Sequence, residues 1–117
     1  MRISEAASAS GLNVDTIRFY EAKGLVPKVT RSSDGQRRFS QENVDWLTLL
    51  YWLRASGMPM KIMQRFAELY AQGDGTIAER KAILLDHAQR LERRRDDLDR
   101  CEDILNRKLE IYEEYLK

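Results

Sequence analysis

The chain has 117 residues, 43% hydrophobic and 33% charged, with a net charge of +1, which suits one compact domain plus an extension. Its single cysteine, Cys101, excludes an intrachain disulfide and a cysteine-cluster zinc site, and its single histidine argues against a histidine-rich catalytic or metal centre. No apolar run is long enough to span a bilayer and the start lacks an apolar signal region, so we expect a cytoplasmic protein without a membrane partner.

Two short helices separated by a tight turn open the chain. Residues 3–10 predict the first helix, with Ser4 as its cap. Asn13 is the expected cap of the second helix, and Gly24 supplies the left-handed position after its end. Together they predict a helix-turn-helix at about residues 3–23, whose second helix can enter a DNA major groove. On spacing alone, an ordinary helical hairpin fits equally well.

A small hairpin, or wing, is predicted at about residues 27–39. Pro27 stops a helix, a turn signal follows at residues 33–35, and Val29 and Phe39 flank it in extended segments. Residues 1–40 hold seven Lys or Arg against four Asp or Glu, a balance that favours a polyanionic partner. Arginines of the wing suit phosphate contacts, although a solvated basic loop is the simpler alternative: Arg31, Arg37 and Arg38.

Two further helices complete the head. Ser40 caps a third helix at about residues 41–55, and a fourth follows at about 59–70, each with apolar residues at helical spacing. Lys61, near the start of the fourth helix, is a candidate phosphate contact. The glycine-containing segment at residues 72–75 predicts a flexible joint.

One long helix is predicted from residue 76 to 116. No Gly or Pro interrupts it, and apolar residues recur along it every seven positions, which indicates a coiled coil. A last helix folded back on its own N-terminal head would leave the distal apolar row exposed to water. A second copy of the chain is therefore the expected partner. We therefore predict a DNA-binding domain at residues 1–72 and a dimerisation helix at 73–117, whose contact residues are Leu84, Leu91, Leu98, Leu105, Leu109 and Tyr112.

The sequence resembles the MerR family of bacterial transcriptional regulators along essentially its whole length. The similarity lies in six motifs and Arg31, in order and at family spacing: ISEAA at 3–7, TIRFYE at 16–21, GLVP at 24–27, GQRRF at 35–39, RASGM at 54–58 and TIAER at 76–80. Two positions depart from the pattern. Gln36 replaces an aromatic residue of the wing, and Pro59 replaces a capping serine.

This resemblance implies a mainly α fold with a winged helix-turn-helix head, a four-helix DNA-binding domain and an antiparallel coiled coil of two C-terminal helices. It also implies a homodimer that binds palindromic, double-stranded promoter DNA and distorts its spacer, acting on RNA polymerase indirectly. A coiled-coil architectural protein that binds DNA without regulating a promoter is the alternative. The residues expected to contact DNA are Thr16, Arg18 and Tyr20 in the second helix, Arg31, Arg37 and Arg38 in the wing, and Lys61.

Several of these residues have structural alternatives. Arg18 could pair with Glu21 at the surface, Phe19 is expected in the core, and Tyr20 could pack inward with its hydroxyl free to meet phosphate. Cys101 lies on or beside the apolar row of the last helix, where packing is favoured over a thiol-sensor role.

The sequence contains no P-loop, HExxH or nucleophile elbow, so we expect neither an enzyme nor a cofactor. It lacks the cysteine-containing loop by which metal-sensing members of the family bind their ions, and no ligand-binding domain is expected after Lys117. A small effector would therefore have to bind between subunits or between head and tail.

Overall fold

The structure is a computed structural model that describes residues 1–27, 30–31 and 33–117, with Thr30 described by its backbone alone. The described residues form five helices: α1 (Ile3–Ser10), α2 (Val14–Ala22), α3 (Gln41–Ala55), α4 (Met60–Ala71) and α5 (Ile77–Leu116). A hairpin of β1 (Thr30–Arg31) and β2 (Arg37–Arg38) lies between α2 and α3, and a 3₁₀ turn (Asp74–Thr76) precedes α5. The predicted mainly α fold with a long C-terminal helix is confirmed.

Caps explain where most of these helices begin. The Oδ1 atom of Asn13 accepts a hydrogen bond of 2.7 Å from the backbone N–H of Thr16, and the hydroxyl of Ser40 accepts one of 3.1 Å from Asn43. The prediction of Ser4 as the cap of α1 is wrong, because α1 begins at Ile3 and Arg2 occupies the cap position. There the Glu5 carboxylate reaches back to the backbone N–H of Arg2 at 3.2 Å.

The core of the head lies where α3 packs against α1 and α4, with α2 packed against α1. Its largest fully buried side chains come from α2, α3, α4 and the segments between them: Ile17, Leu25, Phe39, Leu47, Leu50, Met58, Met63 and Leu69. Trp46 in α3 is also buried and donates a hydrogen bond of 2.8 Å from Nε1 to the carbonyl oxygen of Leu25. The other tryptophan of α3, Trp52, is 62% exposed.

Hydrogen bonds of Thr76 connect the end of α4 to the start of α5. The Thr76 hydroxyl is buried, lies 2.6 Å from the carbonyl oxygen of Leu69 and accepts a hydrogen bond of 3.0 Å from Arg80 Nε. Nearby, the Tyr70 hydroxyl donates to Glu42 at 2.7 Å. This hydrogen bond to the carboxylate, aided by burial, raises the pKa of Tyr70 above its ordinary value.

The described chain divides into two compact units, Met1–Ile83 and Leu84–Lys117. The second unit consists of the distal part of α5, a helix of 40 residues that is about 60 Å long at 1.5 Å per residue. Nowhere in the described ranges does a helix combine the length and apolar character needed to cross a membrane.

Candidate nucleic-acid interface

α2 presents a narrow exposed face to solvent. Ile17 and Tyr20, three residues apart, are 0% and 4% exposed and fix the buried side of the helix. The exposed residues follow the spacing i, i+3, i+4, i+7 that defines the opposite side: Asp15, Arg18, Phe19 and Ala22. Thr16 lies at the border of this face and is half-buried.

The structure decides where the two aromatic residues of this helix lie. Tyr20 packs inward on the same side as Ile17, which confirms the alternative of an inward-packed ring. The prediction that Phe19 lies in the core is wrong, because Phe19 is 47% exposed. The signal that separates the two aromatic residues is the helical phase set by Ile17. It places Tyr20 on the buried side and Phe19 about 200° away from Ile17, at 100° per residue.

Arg18 is an available cation on the exposed face. Its guanidinium lies 3.8 Å from the Asp15 carboxylate, and both side chains are well exposed, so this pair is weak. The alternative pairing of Arg18 with Glu21 is wrong, because the Glu21 carboxylate is bound to Arg37 of the hairpin.

The hairpin fixes the position of its own arginines. Arg31 lies opposite Arg37 in the antiparallel register, and Arg31 Nη1 donates a hydrogen bond of 2.7 Å to the carbonyl oxygen of Gly35. Gly35 has a φ of 81°, which a glycine adopts readily in such a turn. Arg38 is exposed, and no ion pair joins it to the part of the chain that the structure describes. Val29, predicted to lie in an extended segment here, falls outside the described residues.

Arg37 links the hairpin to α2. Its guanidinium donates to the Glu21 carboxylate, and the two side chains are only 23% and 22% exposed. Because the pair joins residues of different elements, it fixes the hairpin to the last turn of α2. Arg37 thus stabilises the position of the hairpin on α2 and also supplies positive charge.

The hairpin is also paired with the start of the chain. The backbone N of Met1 donates to the carbonyl oxygen of Phe39 at 2.8 Å, and the backbone N–H of Phe39 donates to the carbonyl oxygen of Met1 at 2.6 Å. Phe39, buried at 2% exposure, anchors this junction in the core. The hairpin therefore projects from a fixed base.

A cavity of about 310 Å³ lies between the start of α1 and the hairpin. Three of its lining residues are arginines, of which Arg2 was not identified from the sequence: Arg2, Ile3, Ser4, Arg31, Gly35, Gln36 and Arg37. Guanidinium groups around a concave surface suit a phosphate oxygen. Lys61 adds an exposed cation in the first turn of α4, whereas the nearby Arg65 guanidinium lies within 4 Å of two carboxylates, 3.7 Å from Glu68 and 3.6 Å from Glu79.

The distal part of α5 carries an apolar row that is open to solvent in the single chain. Leu84 and Leu91 are half-buried, and further along the predicted dimerisation residues are strongly exposed: Leu98 by 63%, Leu105 by 56%, Leu109 by 60% and Tyr112 by 52%. Cys101 lies beside this row and is exposed. That packing is its role, in preference to thiol sensing, stays a prediction. Across the described ranges, no three or more His, Cys, Asp or Glu residues are grouped to hold a metal ion.

Comparison with protein-family models gives two overlapping matches. Residues 1–68 match the model of the MerR HTH family regulatory proteins, and residues 44–108 match the model described as MerR, DNA binding. Together they span the head and most of α5.

Individual proteins show the same similarity over nearly the whole chain. An uncharacterised HTH-type transcriptional regulator of Haemophilus influenzae is 37% identical over 110 residues, which cover 94% of this chain and 82% of that protein. The crystal structure of HiNmlR, a MerR family regulator lacking the sensor domain and bound to promoter DNA, is 36% identical. Its TM-score is 0.86, with 97% of this chain and 90% of that chain covered. A MerR family regulator structure from Listeria monocytogenes has a TM-score of 0.88 at 30% identity, covering 97% and 86%.

Proposed function

Since this chain belongs to the MerR family of transcriptional regulators, we propose that it binds promoter DNA as a homodimer and distorts the DNA between two promoter elements. Membership of a family of regulators favours this function over an architectural protein that only binds DNA. The head, residues 1–72, supplies the DNA contacts, and residues 73–117 join two copies.

α2 is the element that enters the major groove. Arg18 stands on its exposed face and can donate two hydrogen bonds to guanine or clamp a phosphate. Thr16, at the edge of the same face, is near enough to the helix start to contact a base or the backbone. Tyr20 is too deeply buried to present its ring to DNA and contributes by anchoring the helix.

Cations around α2 contact the phosphates on either side of the groove. Arg38 and Lys61 are exposed and carry this role most directly, while Arg31 and Arg37 line the cavity at the base of the hairpin. Such contacts set the register of the protein on the duplex but carry no sequence information directly.

The observation that carries the proposal is the exposed apolar row of α5 in a chain that matches the family over residues 1–108. Burying Leu98, Leu105, Leu109 and Tyr112 against a second copy stabilises a dimer, because a large apolar side chain contributes about 1.5–3 kcal/mol when it is fully buried. The family resemblance favours an antiparallel arrangement. Two heads at a fixed separation then require a palindromic operator.

The spacer DNA is distorted when the two heads of one dimer bind the same duplex. Bending a site of this kind costs on the order of 1–6 kcal/mol, which is offset by the additional phosphate contacts that the bent DNA allows. The deformed DNA brings both promoter elements within reach of one polymerase, so the regulator acts on polymerase through DNA shape.

The test combines binding with transcription. An operator is selected from random duplexes with this protein, and run-off transcription is measured on a template whose promoter elements flank that operator. We expect a dimer on a palindromic site and transcription that depends on the protein. Tight binding by a monomer, or transcription that does not change when the protein is added, would contradict the proposal.

A further inference from the structure

An aromatic ring lies on the exposed face of α2. Phe19 lies about 200° around the helix axis from the fully buried Ile17, at 100° per residue, and is 47% exposed. It is flanked on the same face by Ala22 and by the charged pair of Asp15 and Arg18. Phe19 and Ala22, three residues apart, therefore give this exposed face an apolar part beside its charged pair.

The ring has a defined place on that surface. Its centroid lies 6.1 Å from that of Tyr20, at an interplanar angle of 49°, and Tyr20 is itself buried in the core. The Nζ atom of Lys23 lies 5.6 Å from the Phe19 centroid, within the range of a cation–π contact. With neighbours on two sides, Phe19 is positioned by the fold.

We propose that Phe19, assisted by the methyl group of Ala22, contacts the C5-methyl group of thymine and so determines the bases that this protein selects. The inference rests on the proposed function, in which α2 enters the major groove. In that groove the thymine methyl is the apolar feature of the base edges, and phenyl and small aliphatic side chains are the groups that match it.

A protein partner fits this face poorly. The exposed apolar surface amounts to one ring and one methyl group, and the neighbouring Asp15 and Arg18 are charged. Stable protein interfaces bury about 800 Å² on each side. A single contact with a base methyl needs only the area that Phe19 and Ala22 provide.

Replacing thymine by uracil in the operator tests the contact directly, because the change removes the methyl group and leaves base pairing intact. Each thymine of the selected operator is replaced in turn, and the dissociation constant is measured by fluorescence anisotropy with the full chain. We expect uracil at one position in each half-site to weaken wild-type binding about fourfold, since a buried methyl group contributes about 0.8 kcal/mol.

Variants assign that effect to the ring. Phe19→Ala should bind thymine and uracil operators equally at that position, whereas Phe19→Leu should keep part of the difference because it keeps an apolar side chain. Trp52→Ala is the matched control. It removes another exposed aromatic ring, on α3, and should leave the fourfold difference unchanged.

The outcomes separate this inference from the proposed function. A uracil effect that is the same in wild type and Phe19→Ala, or that is absent at every thymine, overturns the role of Phe19 while operator binding stands. A wild-type protein that selects no operator overturns both. The contact is supported if the uracil effect is lost in Phe19→Ala but remains in the wild type and in Trp52→Ala.

Discussion

Arg18 is exposed on α2, and its ion pair with the exposed Asp15 is weak. We expect Arg18→Ala to weaken operator binding by about 5- to 150-fold per half-site and to change base preference, because a two-bond contact to a base contributes about 1–3 kcal/mol. Anisotropy titration and repeated operator selection measure the two effects. Arg107→Ala, which removes one positive charge from α5, is the control and should leave the selected sequence unchanged.

Arg37 and Arg38 are neighbours in sequence but differ in structure. Arg38 is exposed, so Arg38→Ala should weaken binding to all sequences and lower the slope of log K against log salt by about 1. Arg37 already pairs with Glu21, so Arg37→Ala should lower this slope by less while loosening the hairpin. Binding measured from low to high salt distinguishes them, and equal slopes for the two variants would contradict a bracing role for Arg37.

For single residues, the sequence predicts those roles that depend on neighbours a few positions away in the chain. Asn13 and Ser40 are caps because their side-chain oxygens meet backbone N–H groups three residues on, a relation visible along the chain. The pair of Arg37 and Glu21 spans 16 residues and depends on how the hairpin packs. Phe19 and Tyr20 could be assigned only once Ile17 had fixed the buried side of α2.

Trp46 ties α3 to the segment that follows α2. Its ring stacks on Phe66 at a centroid distance of 5.4 Å, and its Nε1 donates to the Leu25 carbonyl. Trp46→Phe should lower the free energy of unfolding by about 1–3 kcal/mol, because that buried carbonyl loses its donor. Urea denaturation followed by circular dichroism measures the change. Trp52→Phe, at an exposed site on the same helix, should change stability by less than about 0.5 kcal/mol.

The hydrogen bond from Tyr70 to Glu42 links α4 to α3 and predicts a pH dependence. The pKa of Tyr70 is raised in the folded protein, so above about pH 10 the unfolded chain loses this proton first and stability falls as pH rises. Tyr70→Phe should show a smaller loss between about pH 9.5 and 11. Denaturation midpoints over that range test the sign, and parallel curves for the two proteins would contradict it.

The extents of these elements follow largely from local signals. The third helix was predicted at its observed bounds, and the fourth lies one residue later than predicted, because Pro59 occupies the cap position. The last helix begins at Ile77, since Thr76 belongs to the preceding 3₁₀ turn and its hydroxyl is directed to the end of α4. That packing role depends on a contact between elements, which periodicity does not reveal.

For the whole molecule, the apolar row of α5 decides whether two heads act together. The variant Leu105→Gln with Leu109→Gln removes four leucines from a dimer. At about 1.5 kcal/mol each, their loss should raise the dimer dissociation constant by more than about a thousandfold. Sedimentation equilibrium measures this change, and operator affinity should fall with it.

The control adds two glutamines on the opposite side of the same helix. Arg107→Gln with Glu110→Gln leaves the net charge unchanged and lies away from the apolar row, so it should remain dimeric. Dissociation of both double variants alike would indicate a general loss of helix stability. A dimeric Leu105→Gln, Leu109→Gln variant would show that another surface joins the two copies.

The backbone pairing of Met1 with Phe39 has a practical consequence for the handling of this protein. An affinity tag fused to the amino end would emerge beside the hairpin and next to the cavity lined by Arg2. Residual tag residues would then crowd the surface proposed to meet phosphates. Material for binding studies should therefore carry no tag residues ahead of Met1, which requires a protease that cleaves directly before this residue.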